Sequence, residues 1–121
     1  MFSIQHMVLD GATFFEKPVG TWYNPGQVCH LLTRLNKIPD LGGVVFMDRV
    51  IYLDQIYTAA GSELGSDIPW TRGVLILIPL MLGLKSINEE YYCTLKALLS
   101  FSSTVGVMGG KPKSALYLVG Y

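Results

Sequence analysis

A continuous apolar run, Gly73-Val-Leu-Ile-Leu-Ile-Pro79, limits the folds open to this chain more than any other segment. A strand with one exposed face alternates apolar and polar residues, whereas a run that is apolar at every position predicts a β-strand covered on both faces. The apolar stretch extends only to residue 84 and is interrupted by Pro79, so it is shorter than the about 20 residues that span a bilayer. We therefore expect a central strand of a sheet and no transmembrane segment.

The composition is more apolar than a small domain usually tolerates. Half of the 121 residues are hydrophobic, only 15% are charged, and the mean hydropathy is +0.39. Small domains have a large surface for their volume, so this excess indicates core that another element covers, either at an oligomer interface or in further sequence. Nine basic and nine acidic residues cancel without any like-charge block, which predicts no nucleic-acid surface. Two cysteines and no signal-peptide pattern predict a reducing, cytoplasmic location.

Hydrophobic periodicity predicts the order helix, helix, strand, helix, strand, helix, strand, strand. This order favours the α/β (α+β) class, with a mixed sheet flanked by helices. The expected helices cover residues 3–9 and 27–35, a stretch after Asp48, and residues 86–100, and the expected strands cover residues 41–47, 73–79, 105–108 and 115–121.

Cap and turn residues predict where these elements begin and end. Gly11 is expected to end the first helix. Residues 109–112, Gly-Gly-Lys-Pro, are expected to form the turn between the last two strands, because glycine supplies positive φ values. The expected N-caps are Ser3, Asn24 (followed by Pro25), Asp48, and Ser86 in capping-box spacing with Glu89.

Neither cysteine belongs to a recognisable catalytic pair. Cys29 and His30 are adjacent on a helix and point about 100° apart, so we interpret Cys29 as an ordinary helix cysteine with a polar neighbour on the solvent side. Cys93 lies beside the buried face of the last helix and is expected to be buried. His6 has no fixed partner and does not form a dyad.

Metal and phosphate sites are not indicated, and no cofactor is expected. The sequence contains no Cys-x-x-Cys, no His-x-x-x-His and no carboxylate cluster at ligand spacing. Residues 109–114 lack both the phosphate-loop spacing and a following helix. Two features stay open: Trp22, which either covers core or faces a ligand, and the glycine-proline turn, which is either a plain strand connection or a loop that moves past a ligand.

Both features belong to a longer pattern. The segments that carry it are Phe2-Ser-Ile4, Lys17-Pro-Val-Gly-Thr-Trp-Tyr-Asn-Pro25, Met47-Asp48, Gly73-Val-Leu-Ile-Leu-Ile-Pro-Leu-Met-Leu-Gly-Leu84, Ile87-Asn-Glu-Glu-Tyr91, Leu95-Lys96, Val105-Gly-Val-Met-Gly-Gly-Lys-Pro-Lys-Ser-Ala115 and Tyr117-Leu-Val-Gly-Tyr121. In residue type and order the chain resembles, over nearly its whole length, the autophagin family of autophagy-related cysteine proteases.

The resemblance implies a papain-like fold and a Cys-Asp-His mechanism. In such a site the histidine deprotonates the thiol, the thiolate attacks the carbonyl carbon of a glycine, and the aspartate orients the imidazole. The implied substrate and partner is the ubiquitin-like autophagy modifier, which the family shortens after that glycine and also releases from phosphatidylethanolamine.

The catalytic motifs of the family do not occur in these 121 residues. The family nucleophile lies in a Gly-Trp-Gly-Cys motif ahead of Phe-Ser-Ile, and the catalytic pair lies in an Asp-Pro-His motif after Gly-Tyr; neither is present. Cys29 and Cys93 match no family nucleophile, so no catalytic residue is expected in this chain. Residues 1–121 are interpreted as the central part of a single, incomplete protease domain.

Residues at the active-site entrance do carry over from the family. Trp22 matches the family's tryptophan over the entrance, and Pro112 is expected to meet it. The resemblance implies that Trp22 and the loop that carries Pro112 both shift to admit the modifier's extended, glycine-ended tail. The loop that closes on Trp22 is matched by Gly109, Gly110, Lys111, Pro112, Lys113 and Ser114; together with Trp22 these are called the gating residues.

Two interpretations from other functional classes stay open. The chain could be a non-catalytic, modifier-binding fragment or decoy that keeps part of the substrate groove. It could also be a small oligomer that covers its apolar faces by self-association.

Overall fold

A computed structural model describes residues 3–83 and 86–120 and confirms the predicted order of elements. The chain divides into two compact units, the first ending at Leu80 and the second beginning at Met81. The first unit contains α1 (Ile4–Phe14), α2 (Pro25–Leu35), β1 (Leu41–Val45), α3 (Leu53–Ala59) and β2 (Gly73–Leu77). The second contains a 3₁₀ turn (Glu89–Tyr91), α4 (Tyr92–Ser100), β3 (Val107–Lys111) and β4 (Ser114–Leu118).

The core of the first unit is built on a parallel pair of strands. β1 and β2 pair in register from Leu41 opposite Gly73 to Val45 opposite Leu77. Parallel strands need a crossover connection, and α3 lies within it. The buried residues Val44, Phe46 and Ile56 form the core cluster, and Val74 of β2 packs against it.

Consecutive glycines in β1 allow a helix to approach each face of this pair. A Cβ at Gly42 would collide with the carbonyl group of Ala59 at the end of α3, and a Cβ at Gly43 would lie 3.1 Å from the methyl group of Thr33 in α2. Successive residues of a strand face opposite sides, so α2 and α3 cover opposite faces. The predicted α/β class, with helices flanking a sheet, is confirmed.

The central position predicted for residues 73–79 is wrong for the part of the chain that the structure describes. There β2 pairs with β1 alone, and Ile76 is 39% exposed. Parallel and antiparallel pairing both occur, but in two separate two-stranded sheets. An apolar run shows that a strand can be covered on both faces, whereas its neighbours are set by long-range pairing that the run does not encode.

Two predictions about helix ends concern α1. Ser3 is confirmed as the N-cap, because its hydroxyl oxygen accepts a hydrogen bond from the His6 N–H at 3.2 Å. The prediction that Gly11 ends the helix is wrong, since α1 continues to Phe14. Gly11 is buried within the helix, where the ring of Tyr23 occupies the space that a Cβ would need.

The predicted caps of α3 and α4 are also wrong. α3 begins at Leu53 with Tyr52 as N-cap, and Asp48 instead accepts hydrogen bonds from the Val50 N–H at 3.2 Å and the Tyr52 hydroxyl at 2.7 Å. Asp48 is thus satisfied by a local turn before the helix starts. The last helix begins with the 3₁₀ turn after Asn88, so Ser86 precedes it and forms no capping box.

Burial on α4 is narrower than its apolar pattern predicts. The apolar pattern of residues 86–100 predicts four buried side chains, and of these Leu95, at 8% exposure, is buried. The other three are half-buried: Tyr91, Leu98 and Leu99.

The hairpin of the second unit turns later than predicted. β3 and β4 pair from Val107 opposite Leu118 to Lys111 opposite Ser114, so the connection is the two residues Pro112 and Lys113. Gly109 and Gly110 therefore belong to β3, and the prediction of a turn over residues 109–112 is wrong. The positive φ value at the turn belongs to Lys113, at 68°.

The apolar excess of the composition is visible on the surface. Among the residues that the structure describes, many large hydrophobic side chains are exposed, including Ile4 and Val19 at 77% and Val119 at 72%. Every residue of β4 is exposed. Within residues 3–83 and 86–120, the helices fall short of the length and apolar content that a bilayer span requires.

Candidate functional site

Trp22, the first gating residue, lies in the connection between α1 and α2 and is 43% exposed. The connection folds back at Pro18, whose carbonyl oxygen accepts from both the Thr21 N–H at 3.2 Å and the Thr21 hydroxyl at 2.7 Å. Gly20, with φ 87°, occupies the position at which a type II turn requires a positive φ. Trp22 follows this turn directly, so the turn fixes the backbone on the N-terminal side of Trp22.

The chain that follows Trp22 is fixed by the start of α2. The Asn24 side chain accepts from the Gln27 N–H at 2.9 Å, and the Gln27 side chain accepts from the Asn24 N–H at 3.1 Å. This reciprocal pair is a capping box, and Pro25 occupies the first helical position. The predicted cap at Asn24 is confirmed.

Sequence reasoning missed two residues of this segment. Tyr23 was not expected to pack on Gly11, and Gln27 was not identified as the partner of Asn24. The spacing of Asn24 and Gln27 is the same as that of Ser86 and Glu89, so the capping-box rule could have found it. Nothing in the local pattern pairs Tyr23 with a glycine twelve positions earlier.

The remaining gating residues lie on the hairpin of the second unit, and all of them are exposed. Gly109, Gly110 and Lys111 are the last residues of β3, and Ser114 is the first of β4. Proline fixes φ near −65°, and Lys113 follows with φ 68°, a combination found in type II turns. Trp22 belongs to the first unit, and its predicted meeting with Pro112 stays a prediction.

Cys29 is in an environment that disfavours a nucleophile. It is buried in α2 at 7% exposure, and His30 beside it is half-buried. Burial raises the pKa of the Cys29 thiol, and a backbone hydrogen bond opposes this only in part. The reactive form of cysteine is the thiolate, so a raised pKa makes Cys29 less reactive at neutral pH.

Neither Cys93 nor His6 has a catalytic partner among the described residues of its own unit. Cys93 is exposed on α4, so the prediction that it is buried is wrong: it lies outside the narrow face that Leu95 buries. The Nδ1 atom of His6 lies 2.7 Å from the Ser3 hydroxyl oxygen, a local contact within the α1 cap. Within residues 3–83 and 86–120, no three His, Cys, Asp or Glu side chains are grouped to hold a metal ion.

Comparison with known proteins identifies the family to which these elements correspond. The model of the Peptidase C54 catalytic domain matches residues 1–121, the full length of the chain. The resemblance to autophagy-related cysteine proteases, with the papain-like fold class that it implies, is thereby confirmed.

Individual relatives agree with this match. The chain is 30% identical to Cysteine protease ATG4D of Xenopus laevis, 31% identical to Cysteine protease ATG4C of Homo sapiens, and 37% identical to Probable cysteine protease atg4 of Schizosaccharomyces pombe. Each alignment covers 96% of this chain but only 26%, 27% and 34% of the respective relative. The chain therefore spans about a quarter to a third of the length of these relatives.

Proposed function

Because the chain belongs to the Peptidase C54 family, we propose that it is the entrance-bearing part of a cysteine protease that acts on the ubiquitin-like autophagy modifier. The proposed reaction is hydrolysis after a glycine near the end of the modifier, together with release of the modifier from phosphatidylethanolamine. The observation that carries the proposal is the family match over residues 1–121. The proposed setting is the cytoplasm, where such a thiol stays reduced.

We also propose that these 121 residues alone do not catalyse the reaction. Neither Gly-Trp-Gly-Cys nor Asp-Pro-His occurs in the sequence. Cys29 is buried with a raised pKa, and Cys93 is on the exposed side of a helix. A cysteine protease needs a thiolate paired with a histidine base, and neither cysteine has such a partner in the described ranges.

The gating residues are the part of the site that this chain contributes. An exposed indole beside a helix start can cover an extended peptide, since its large flat ring offers apolar area and one N–H donor. Every residue of the hairpin segment from Gly109 to Ser114 is exposed, and its two glycines present little side-chain bulk to a passing backbone. Each property suits contact with the extended backbone of a glycine-ended tail.

The test is an activity assay on the purified chain. A modifier precursor with residues beyond its glycine is incubated with the wild-type chain and with Cys29→Ser and Cys93→Ser variants. We expect no cleavage by any of them. Turnover by the wild-type chain that either substitution abolishes would overturn the proposed inactivity and assign a nucleophile within residues 1–121.

A second candidate function is a non-catalytic fragment that binds the modifier. The observation that favours it is the 43% exposure of Trp22. An accessible indole can bind a peptide even where no catalytic residue is present. Calorimetric titration of the modifier into the chain should then give a saturable isotherm that Trp22→Ala weakens and Trp70→Ala does not. A flat isotherm with the wild-type chain rules this function out.

A further inference from the structure

Trp22 lies between two hydrogen-bonded structures with almost no free chain on either side. The Pro18–Thr21 turn closes one residue before it. The Asn24 cap of α2 begins two residues after it, and the Val28 N–H also donates to the Asn24 carbonyl oxygen at 3.1 Å. Trp22 and Tyr23 are the only residues between these two structures.

Tyr23 removes most of the freedom that remains. Its ring packs against Gly11 of α1, and its hydroxyl oxygen is fully buried. The neighbouring Trp22 side chain is 43% exposed. Tyr23 is therefore half-buried and packed on α1, while Trp22 beside it is exposed.

The first turn of α2 is itself in contact with the chain that follows β1. A Cβ at Gly26 would meet the terminal methyl group of Met47 at 2.8 Å, so Gly26 permits the chain after β1 to lie against the first turn of α2. The capping box is thus joined to the end of β1 as well as to its own helix. Displacing the backbone at Trp22 would disturb both.

We propose that Tyr23, Asn24 and Gln27 are positioning residues for Trp22, which fix its backbone so that the indole responds to a ligand by rotating its side chain while its loop stays in place. The inference rests on the proposed assignment of Trp22 to the entrance. A fixed backbone reduces the conformational entropy lost when a substrate orders the entrance. It also leaves the indole as the part of this connection that can move.

Time-resolved fluorescence anisotropy of Trp22 tests the inference directly. The chain has two tryptophans, so Trp70→Phe gives a single-tryptophan background and keeps an aromatic ring against Tyr57. In this background we expect Asn24→Ala to raise about fivefold the fraction of molecules in which the Trp22 side chain moves rapidly. This factor is the one expected from the typical cost of losing a helix N-cap. Asn24→Ser keeps a capping oxygen and should restore the slow signal.

A matched control separates positioning from general loss of stability. Ser3→Ala removes the equivalent cap of α1 and should lower the melting temperature to a similar extent without changing the Trp22 anisotropy. Gln27→Ala, with Gln27→Glu as its conservative partner, tests the same box through a milder change if Asn24→Ala does not fold. Unchanged Trp22 anisotropy in folded Asn24→Ala and Gln27→Ala variants would overturn the inference.

Addition of the modifier distinguishes this inference from the proposed function. The Thr21 N–H, which donates to the Pro18 carbonyl oxygen, reports on the loop beside Trp22. If the caps control Trp22 motion and the modifier changes the fluorescence lifetime of the indole without changing amide exchange at Thr21, both the inference and the proposed function are supported. If the modifier changes nothing, the assignment of Trp22 to the entrance fails while the measured effect of the caps stands. If the modifier accelerates amide exchange at Thr21, the loop moves and the inference is overturned.

Discussion

The phenol ring of Tyr23 lies directly against Gly11, at a point where α1 has no side chain. A Cβ built on Gly11 would overlap the ring and its hydroxyl group, with the Cε1 atom of Tyr23 at 2.7 Å. Glycine inside a helix costs about 1 kcal/mol relative to alanine. Glycine is nevertheless suited to position 11, because the connection that carries Trp22 packs across it and leaves no space for a Cβ.

We expect Gly11→Ala to destabilise the chain although it improves the helix. The added methyl group forces Tyr23 out of its site, an overpacking effect of about 1–3 kcal/mol that exceeds the propensity gain. Urea denaturation of the wild type and variant measures the difference. In a Tyr23→Ala background the same substitution should become stabilising, and a cycle without this change of sign would contradict the packing relationship.

Tyr23→Phe should leave the stability unchanged or raise it. The Tyr23 hydroxyl oxygen is buried and has no hydrogen-bond partner among the described residues. A buried polar group without a partner costs about 1–3 kcal/mol, and phenylalanine removes it without changing the ring. Tyr117→Phe is the matched control: its hydroxyl donates to the Val105 carbonyl oxygen at 2.8 Å, so this variant should lose stability.

The two cysteines should react at very different rates with an alkylating reagent. Cys93 is exposed, whereas Cys29 is buried and its thiol pKa is raised. Mass spectrometry of the iodoacetamide-treated chain should show Cys93 modified first and Cys29 slower by on the order of tenfold or more, since it needs local opening. The Cys93→Ser variant isolates Cys29, which should react readily only in denaturant. Equal rates in the folded chain would show that α2 does not bury Cys29.

Asp48 and Tyr52 should make stability depend on pH at both extremes. The Tyr52 hydroxyl and then the Val50 N–H donate to Asp48 and lower its carboxyl pKa below 3.8. A lowered folded pKa means that the contribution is present above about pH 4 and is lost as the pH falls through the folded value. The same bond raises the Tyr52 pKa above 10.0, so its contribution is present below that pH and is lost as the pH rises further.

Asp48→Asn should remove both effects. The free energy of unfolding, measured by denaturation from acid to alkaline pH, should then no longer show the contributions that the wild type loses at the two pH extremes. The Tyr52 phenol should titrate at a lower pH than in the wild type. Tyr52→Phe should reproduce the change on the acid side. An unaltered Tyr52 titration in Asp48→Asn would contradict the 2.7 Å bond between the two side chains.

Local rules predicted what depends on neighbouring residues and failed where distant residues decide. Asn24 followed by Pro25 marks the start of α2 correctly, because an N-cap needs only the next three residues. Asp48 was assigned the same role by the same rule, but its carboxylate is satisfied first by Val50 and Tyr52. Gly11 looks like a helix end in sequence and is instead a packing site for Tyr23.

The candidate site was predictable only through the family resemblance. Nothing in periodicity or charge distinguishes Trp22 from Trp70, because both lie next to prolines or turns. Their exposure in the structure is also similar, about half in each case. The hairpin was correctly placed in the sequence, yet its turn was shifted by two residues. The two glycines predict the turn too early, whereas β3 stops only before Pro112, because proline has no N–H for a strand ladder.

Lys113 is the point of the hairpin where a substitution should stabilise it. Its φ of 68° lies in the left-handed region, which costs an L-residue about 1–2 kcal/mol and costs glycine nothing. Type II turns also match the twist of a hairpin poorly, so the connection adds little stability of its own. We therefore expect Lys113→Gly to stabilise the β3–β4 pair by about 1 kcal/mol.

Amide hydrogen exchange in the hairpin measures this effect where it arises. Exchange at the paired amides of Val107 and Leu118 should slow about fivefold in Lys113→Gly, because opening of the pair becomes less favourable by about 1 kcal/mol. Lys111→Gly is the matched control, since it removes the same side chain from a strand position opposite Ser114 and should speed exchange. Slower exchange in both variants would mean that lost lysine charge is responsible, and slower exchange in neither would mean that Lys113 is not strained.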